Sequence, residues 1–171
     1  MTTTRAVRPS VSVYVDTCVI SGRVKSELSP QEAEAVDRLI RQHEAGEIDL
    51  LRSQVVEDEI GRIPDQYRAP HRALLEVFLS VPVATVGGLT RATAMGFPMA
   101  NPRRRLWNSL VDLLPDEGDR WHVFTACCNR ARHMVTVDQR TILSRKAKIL
   151  AATGLHVETP AEFLASRGNT T

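Results

Sequence analysis

Val11-Ser12-Val13-Tyr14-Val15 alternates in polarity, is rich in β-branched residues, and runs straight into Asp16-Thr17-Cys18. That pattern predicts a strand that delivers an acid at its carboxyl end. His133-Met134-Val135-Thr136-Val137 repeats the device and ends on Asp138. Two apolar strands, each closing on an aspartate, with helical patterns between them, predict alternating β and α elements. Such a chain folds as a parallel sheet covered on both faces.

Working outward, Ser29-Pro30-Gln31-Glu32 supplies an N-cap, a proline at the first helical position and a capping-box glutamate. The helix it opens turns Ala33, Val36, Leu39 and Ile40 inward and stops at Gly46. Ile48–Leu51 reads as a short strand, after which Ser53 caps a second helix through Ile60 toward Pro64. A third helix is expected over Pro70–Leu79, with Ala73, Leu74, Val77 and Phe78 inward. Val81–Ala84 follows as an edge strand, because Pro82 bars it from the sheet centre.

Residues 85–101 read as a long loop. Asn101-Pro102 then opens a helix carrying Leu106, Trp107, Leu110 and Leu114. Asp119 is expected to begin, and could cap, a further helix to about Arg132, with Asp116 in the preceding turn. After Asp138 come a helix over Thr141–Ala152 stopped by Gly154, a strand over Leu155–Glu158, and a last helix capped by Thr159-Pro160-Ala161-Glu162. No repeat or linker divides the chain. The expected organisation is a tail over 1–10, a single domain over 11–167 with an insertion at about 85–115, and a tail over 168–171.

Composition narrows the function classes. The chain has 171 residues, of which 43% are hydrophobic and 25% charged, which fits one compact domain rather than a disordered chain. No apolar run reaches the roughly 18 residues that a membrane-spanning helix needs, so no membrane association is expected. Met1–Ser10 lacks the apolar core of a signal peptide. Three cysteines, two of them adjacent at Cys127 and Cys128, fit neither a disulfide framework nor a C-x-x-C metal pair, which points to the cytoplasm. A net charge of +2 does not by itself mark a nucleic-acid binder.

Chemistry is concentrated in four acids. Asp16 and Asp138 stand at strand carboxyl ends, the edge where open parallel sheets bind ligands. Glu59 borders the buried face of the second helix, and Asp119 stands at a helix start. Each alone reads as a cap, a turn or a solvated charge. Converging, they would repel one another, and at least one should resist ionising, unless a cation neutralises them. An all-oxygen donor set selects Mg²⁺ or Mn²⁺ over zinc, and such an ion can activate water for in-line phosphodiester hydrolysis. Neither G-x-G-x-x-G nor a Walker A loop competes with that reading.

Val13–Thr17, Ser53–Ile60, Asp119–Ala126 and Val135–Asp138, in that order and spacing, resemble the PIN-domain nucleases, and among them the VapC-like type II toxin ribonucleases. Val157–Leu164 is similar to that family's last strand and helix. The resemblance implies a PIN-like (Rossmann-like) α/β/α sandwich with a central parallel sheet. It implies Asp16, Glu59, Asp119 and Asp138 as catalytic metal-binding acids, with Thr17 and Thr136 as the hydroxyl residues behind them. It further implies RNA cleavage dependent on Mg²⁺ or Mn²⁺, a homodimer, and a small cognate antitoxin as partner. Cys18 departs from the family's usual Asn or Ser, and the segment 85–115 makes this chain longer than most such toxins.

Outside the acids, Arg145, Lys146 and Lys148 follow Asp138 closely, with Arg140, and could track an RNA backbone; a solvated helix face is the alternative. Arg103-Arg104-Arg105 opposes the dipole of the helix it opens, a weak sign of a bound polyanion. Trp107 and Trp121 at helical spacing read as core rather than as base-stacking platforms. His122, three residues after Asp119, reads as a packed, hydrogen-bonded histidine and stays outside the catalytic set. Two other readings of the acids remain open: a PIN-like nuclease acting on DNA or structured nucleic acid, and a non-catalytic PIN-fold RNA- or protein-binding module.

Overall fold

The structure, a computed structural model, describes residues 11–82 and 102–168. The expected N-terminal tail, the loop 85–101 and residues 169–171 lie outside the described residues. Five strands form one parallel sheet: β1 (Val11–Val15), β2 (Ile48–Ser53), β3 (Leu79–Val81), β4 (His133–Val135) and β5 (His156–Glu158). Their spatial order is β3-β2-β1-β4-β5, every neighbouring pair parallel. The chain moves outward from β1 to β2 and β3, then crosses to the other side of β1 for β4 and β5. The carboxyl ends of β1 and β4 therefore flank the point where strand order reverses, the crevice in which such sheets bind ligands.

Helices cover both faces, the architecture expected of the sequence. On one side lie α1 (Thr17–Val24), α2 (Pro30–Glu44), α3 (Gln54–Gly61) and α4 (Asp65–Leu75), and α8 (Pro160–Gly168) returns to pack on α2. On the other lie α5 (Pro102–Leu113), α6 (Glu117–Cys128) and α7 (Lys146–Thr153). Right-handed crossovers dictate that split, because the direction of travel across the sheet changes after β3. Tyr14, Leu50, Phe124, Met134 and Phe163 are among the fully buried side chains between the layers. Trp121 is buried against Trp107 (ring centroids 4.5 Å apart) and Phe124 (5.8 Å), so both tryptophans belong to the core packing.

Several boundaries differ from the sequence expectation. The helix expected from Pro70 starts at Asp65 and holds Pro70 inside it; Ala73 is exposed, and His71 and Leu75 face inward. Leu79 consequently opens β3, and Pro82 follows its last residue. In α2, Ala35 rather than Ala33 is buried with Val36 and Leu39. Strand β4 stops at Val135, short of Val137, and α6 stops at Cys128, short of Arg132. The helix expected over Thr141–Ala152 divides into a 3-10 turn at Leu143–Arg145 and α7, which Gly154 ends with φ +76°. The N-cap of α6 is Asp116, whose Oδ1 accepts from the Asp119 N–H (3.1 Å); Asp119 is thus inside the first turn and free of capping duty.

Two caps fix the starts of α2 and α8. Ser29 caps α2 by accepting from Glu32 N–H (3.2 Å), but the Glu32 carboxylate does not close its own box. It accepts instead from Ala161 N–H (3.0 Å) and so secures the start of α8. The box at Thr159 and Glu162 closes in both directions, with bonds of 3.0 Å and 3.2 Å.

Candidate metal centre

Asp16 is the N-cap of α1 by backbone geometry, yet its side chain makes no capping bond. An aspartate at that position ordinarily serves the helix N–H groups. Here Oδ2 accepts from the Thr136 hydroxyl (2.6 Å) and the Cys18 thiol (2.9 Å), and the residue is 5% exposed. The short cross-strand register explains the reach, since Asp16 N–H continues the ladder by donating to Val135 O (3.1 Å). Thr17, expected behind Asp16, lines the same cleft, but its Oγ1 is buried with no hydrogen-bond partner among the described residues. The hydroxyl that holds Asp16 is that of Thr136, and the Cys18 thiol is the second donor to the same oxygen.

Asp16, Glu59, Asp119 and Asp138 line one cleft of about 290 Å³, together with Thr17, Cys18, Ser21, Asp116, Gly118 and His122. Each acid is held differently. Asp138 Oδ1 accepts from the N–H groups of Arg140 (2.9 Å) and Thr141 (3.0 Å), and its Oδ2 from the Thr141 hydroxyl. Burial raises its carboxyl, but those bonds and the Arg140 charge outweigh burial and hold it below the usual range. Asp119 is the opposite case. Its Oδ2 is buried without a partner among the described residues. Burial pushes its carboxyl above the usual range; the Thr141 side chain eases this, and the charges of Asp116, Asp16 and Asp138 add to it.

Glu59 comes from α3, whose start is fixed by the Ser53 side chain accepting from Val55 N–H (3.3 Å). Its Oε2 lies 3.0 Å from Nε2 of His122, a residue the sequence reading left as packing. His122 is 2% exposed, and Nε2 is also 3.5 Å from Asp16 Oδ1. Burial lowers its basicity, but the Asp16 charge and the Glu59 bond prevail and raise it above the ordinary histidine value. The only signal in the sequence was its spacing from Asp119, which a buried structural histidine shares.

Comparison with known proteins supplies a fold. One chain of VapBC2 from Rickettsia felis, solved bound to a DNA fragment from its promoter, aligns with 87% of this chain and 98% of its own, at TM-score 0.55 and 11% identity. The likeness is one of fold. It matches the PIN-like sandwich expected of the sequence. No family model matches the sequence, and no curated protein does.

Among the described residues, no three His, Cys, Asp or Glu side chains form a ready-made ligand cage. That does not conflict with Mg²⁺ chemistry, because Mg²⁺ commonly takes one or two carboxylates and completes its shell with water and substrate phosphate. The donor set fits such an ion in kind: the acids offer only oxygen, and Asp119 Oδ2 is a buried acceptor with no donor among the described residues. Asp119 and Asp16 are the residues best placed to hold it.

The basic residues stand apart from the cleft lining. Lys146 Nζ pairs with Glu162 (2.9 Å), and the Arg145 guanidinium donates to Thr141 O (2.9 Å). Lys148 is exposed on α7. Among the described residues, no helix is long and apolar enough to cross a membrane.

Proposed function

We propose that the protein is a Mg²⁺- or Mn²⁺-dependent endoribonuclease that hydrolyses RNA phosphodiester bonds, acting as the toxin of a type II toxin–antitoxin pair. The observation that carries the enzymatic half is the shared cleft of Asp16, Glu59, Asp119 and Asp138 at the reversal point of the sheet, with one carboxyl oxygen buried and unsatisfied. A module that only bound nucleic acid would gain nothing from acids that repel phosphate. The motif order shared with VapC-like toxins and the fold likeness to a VapBC2 chain support the toxin half. On this reading the partners are an RNA substrate, a small antitoxin and a second copy of the chain.

A bound divalent ion supplies a water acidic enough to attack at neutral pH and neutralises charge on the phosphodiester. The protein's part is to hold the acids. Thr136 and Cys18 fix Asp16 through one oxygen, leaving Oδ1 toward the cleft. Asp138 is immobilised by the turn that follows it, and Asp119 is kept desolvated so that its charge is worth most to a cation. Incubating the chain with RNA and with single-stranded DNA, in Mg²⁺, Mn²⁺ or EDTA, tests this. The expected result is cleavage of RNA only with metal. Cleavage in EDTA, or intact RNA under every condition, would overturn the assignment, and preferential cutting of DNA would move it to the DNA-directed reading. The toxin half predicts a small DNA-binding protein encoded beside the gene, and co-expression with it tests that half by whether a complex forms.

A further inference from the structure

Behind the acids runs a line of buried polar groups that the hydrolytic reading does not use. Ser53 Oγ is 2.7 Å from the Tyr14 hydroxyl, which is 3.0 Å from His122 Nδ1; His122 Nε2 then meets Glu59 (3.0 Å) and Asp16 (3.5 Å). Tyr14 and Ser53 are fully buried, and His122 nearly so. Buried polar groups are costly unless every member is satisfied, and phenylalanine and leucine would fill the same space at no such risk. The bonding directions are constrained at one end only. A carboxylate only accepts, so His122 Nε2 carries a hydrogen and donates to Glu59, while the Tyr14 and Ser53 hydroxyls can turn to suit.

The line closes on itself. Ser53 caps the start of α3, and Glu59 lies further along that helix, so the Tyr14–His122 strut spans from the start of α3 to its acid. On the far side of the carboxylate stands Gly118, where a Cβ would come within 3.3 Å of Glu59 Oε1 and 3.0 Å of Asp116 Oδ1. One oxygen of Glu59 thus meets His122, and a side chain at 118 would crowd the other.

We propose that His122 is a positioning residue that holds Glu59 and Asp16 in one arrangement for the cation, braced from behind by Tyr14 and Ser53. This rests on the metal-dependent reading above. Partners one shell behind metal ligands typically cost about 10–100-fold in metal affinity when removed.

The test is Mn²⁺ binding to the full chain, with free Mn²⁺ followed by electron paramagnetic resonance, beside a thermal melt of each variant in EDTA. His122→Ala is expected to raise the Kd for Mn²⁺ about tenfold or more. His122→Gln, whose amide can present an N–H toward Glu59, should recover most of that loss. Tyr14→Phe, which keeps the ring but removes the brace, should fall between wild type and His122→Ala. If His122→Ala does not fold, the Gln and Phe variants decide: an unchanged Kd in Tyr14→Phe, or a Kd raised in His122→Gln by about tenfold or more, overturns the brace or the clamp. Wild-type affinity in a folded His122→Ala overturns the inference while leaving the metal site standing. A wild type that binds no Mn²⁺ overturns the metal-dependent reading and this inference with it.

Discussion

Asp119, at the carboxyl edge of the sheet, and the acids on the β5–α8 flank live under opposite rules. On the flank each has a nitrogen partner at hand: Glu158 lies 2.9 Å from His133 Nδ1, and Glu162 lies 2.9 Å from Lys146 Nζ while closing the α8 capping box. Both carboxyls are held below the usual range, Glu158 chiefly by the His133 bond and Glu162 chiefly by the Lys146 bond. At the edge, Asp119 is pushed the other way by burial and by neighbouring acids. The flank acids are where a structure puts charges it has satisfied. Asp119 is where it keeps a charge it has not. Asp138 confines the contrast to Asp119, because it shares the cleft yet is held below the usual range by its own turn.

The largest expected effect breaks the edge itself. Asp16→Asn should lose more RNA cleavage than the roughly 100-fold that removal of an outer-shell partner costs, while circular dichroism shows the fold retained. Cleavage near the wild-type rate would remove Asp16 from the site.

A smaller effect separates the two regions by the sign of their pH dependence. Asp119 has a raised folded value, so its ionised form weakens the fold at neutral pH. Asp119→Asn should therefore melt higher than wild type in EDTA, and that advantage should vanish as pH falls below the ordinary carboxyl range. Glu158 has a lowered folded value, so its contribution is present above the ordinary range and lost as pH falls through the folded value. Glu158→Gln should melt lower than wild type at neutral pH and converge on it in acid. Two variants that move in the same direction would erase the distinction drawn here.

The smallest effect concerns the basic flank. If α7 and the turn before it follow an RNA backbone, Arg145→Ala and Lys148→Ala should each flatten the salt dependence of RNA binding by roughly one unit. Lys146 should matter less, since Glu162 already holds it. Unchanged slopes would make this helix face ordinary solvated surface.

Strands β1, β2 and β5 were legible because their apolar runs end on acids or turn residues, and α2 and α8 because their caps are explicit. Helix α1 was not, because Thr17, Val19 and Ile20 are β-branched and Ser21-Gly22 breaks any helical stripe. The start of α4 was missed because Pro70 reads as a first-turn proline, whereas Pro64 and Asp65 form the true entry. The acids that line the cleft were legible in the sequence as candidates, since strand ends announce two of them. How Asp16 and Glu59 are held could not be read in full, because Thr136 and His122 meet them only through tertiary structure, whereas Cys18 and Thr141 are local partners of Asp16 and Asp138.

On the proposed reading the edge acids form one cation site with Asp119 as its least satisfied member. Thermal melts of wild type and Asp119→Asn, in EDTA and in excess Mn²⁺, decide whether they do. Metal should stabilise wild type by about 2.7 kcal/mol when free Mn²⁺ is ~100 times its dissociation constant, and should stabilise Asp119→Asn distinctly less. A wild-type midpoint that Mn²⁺ does not move, or an equal shift in both proteins, would contradict it.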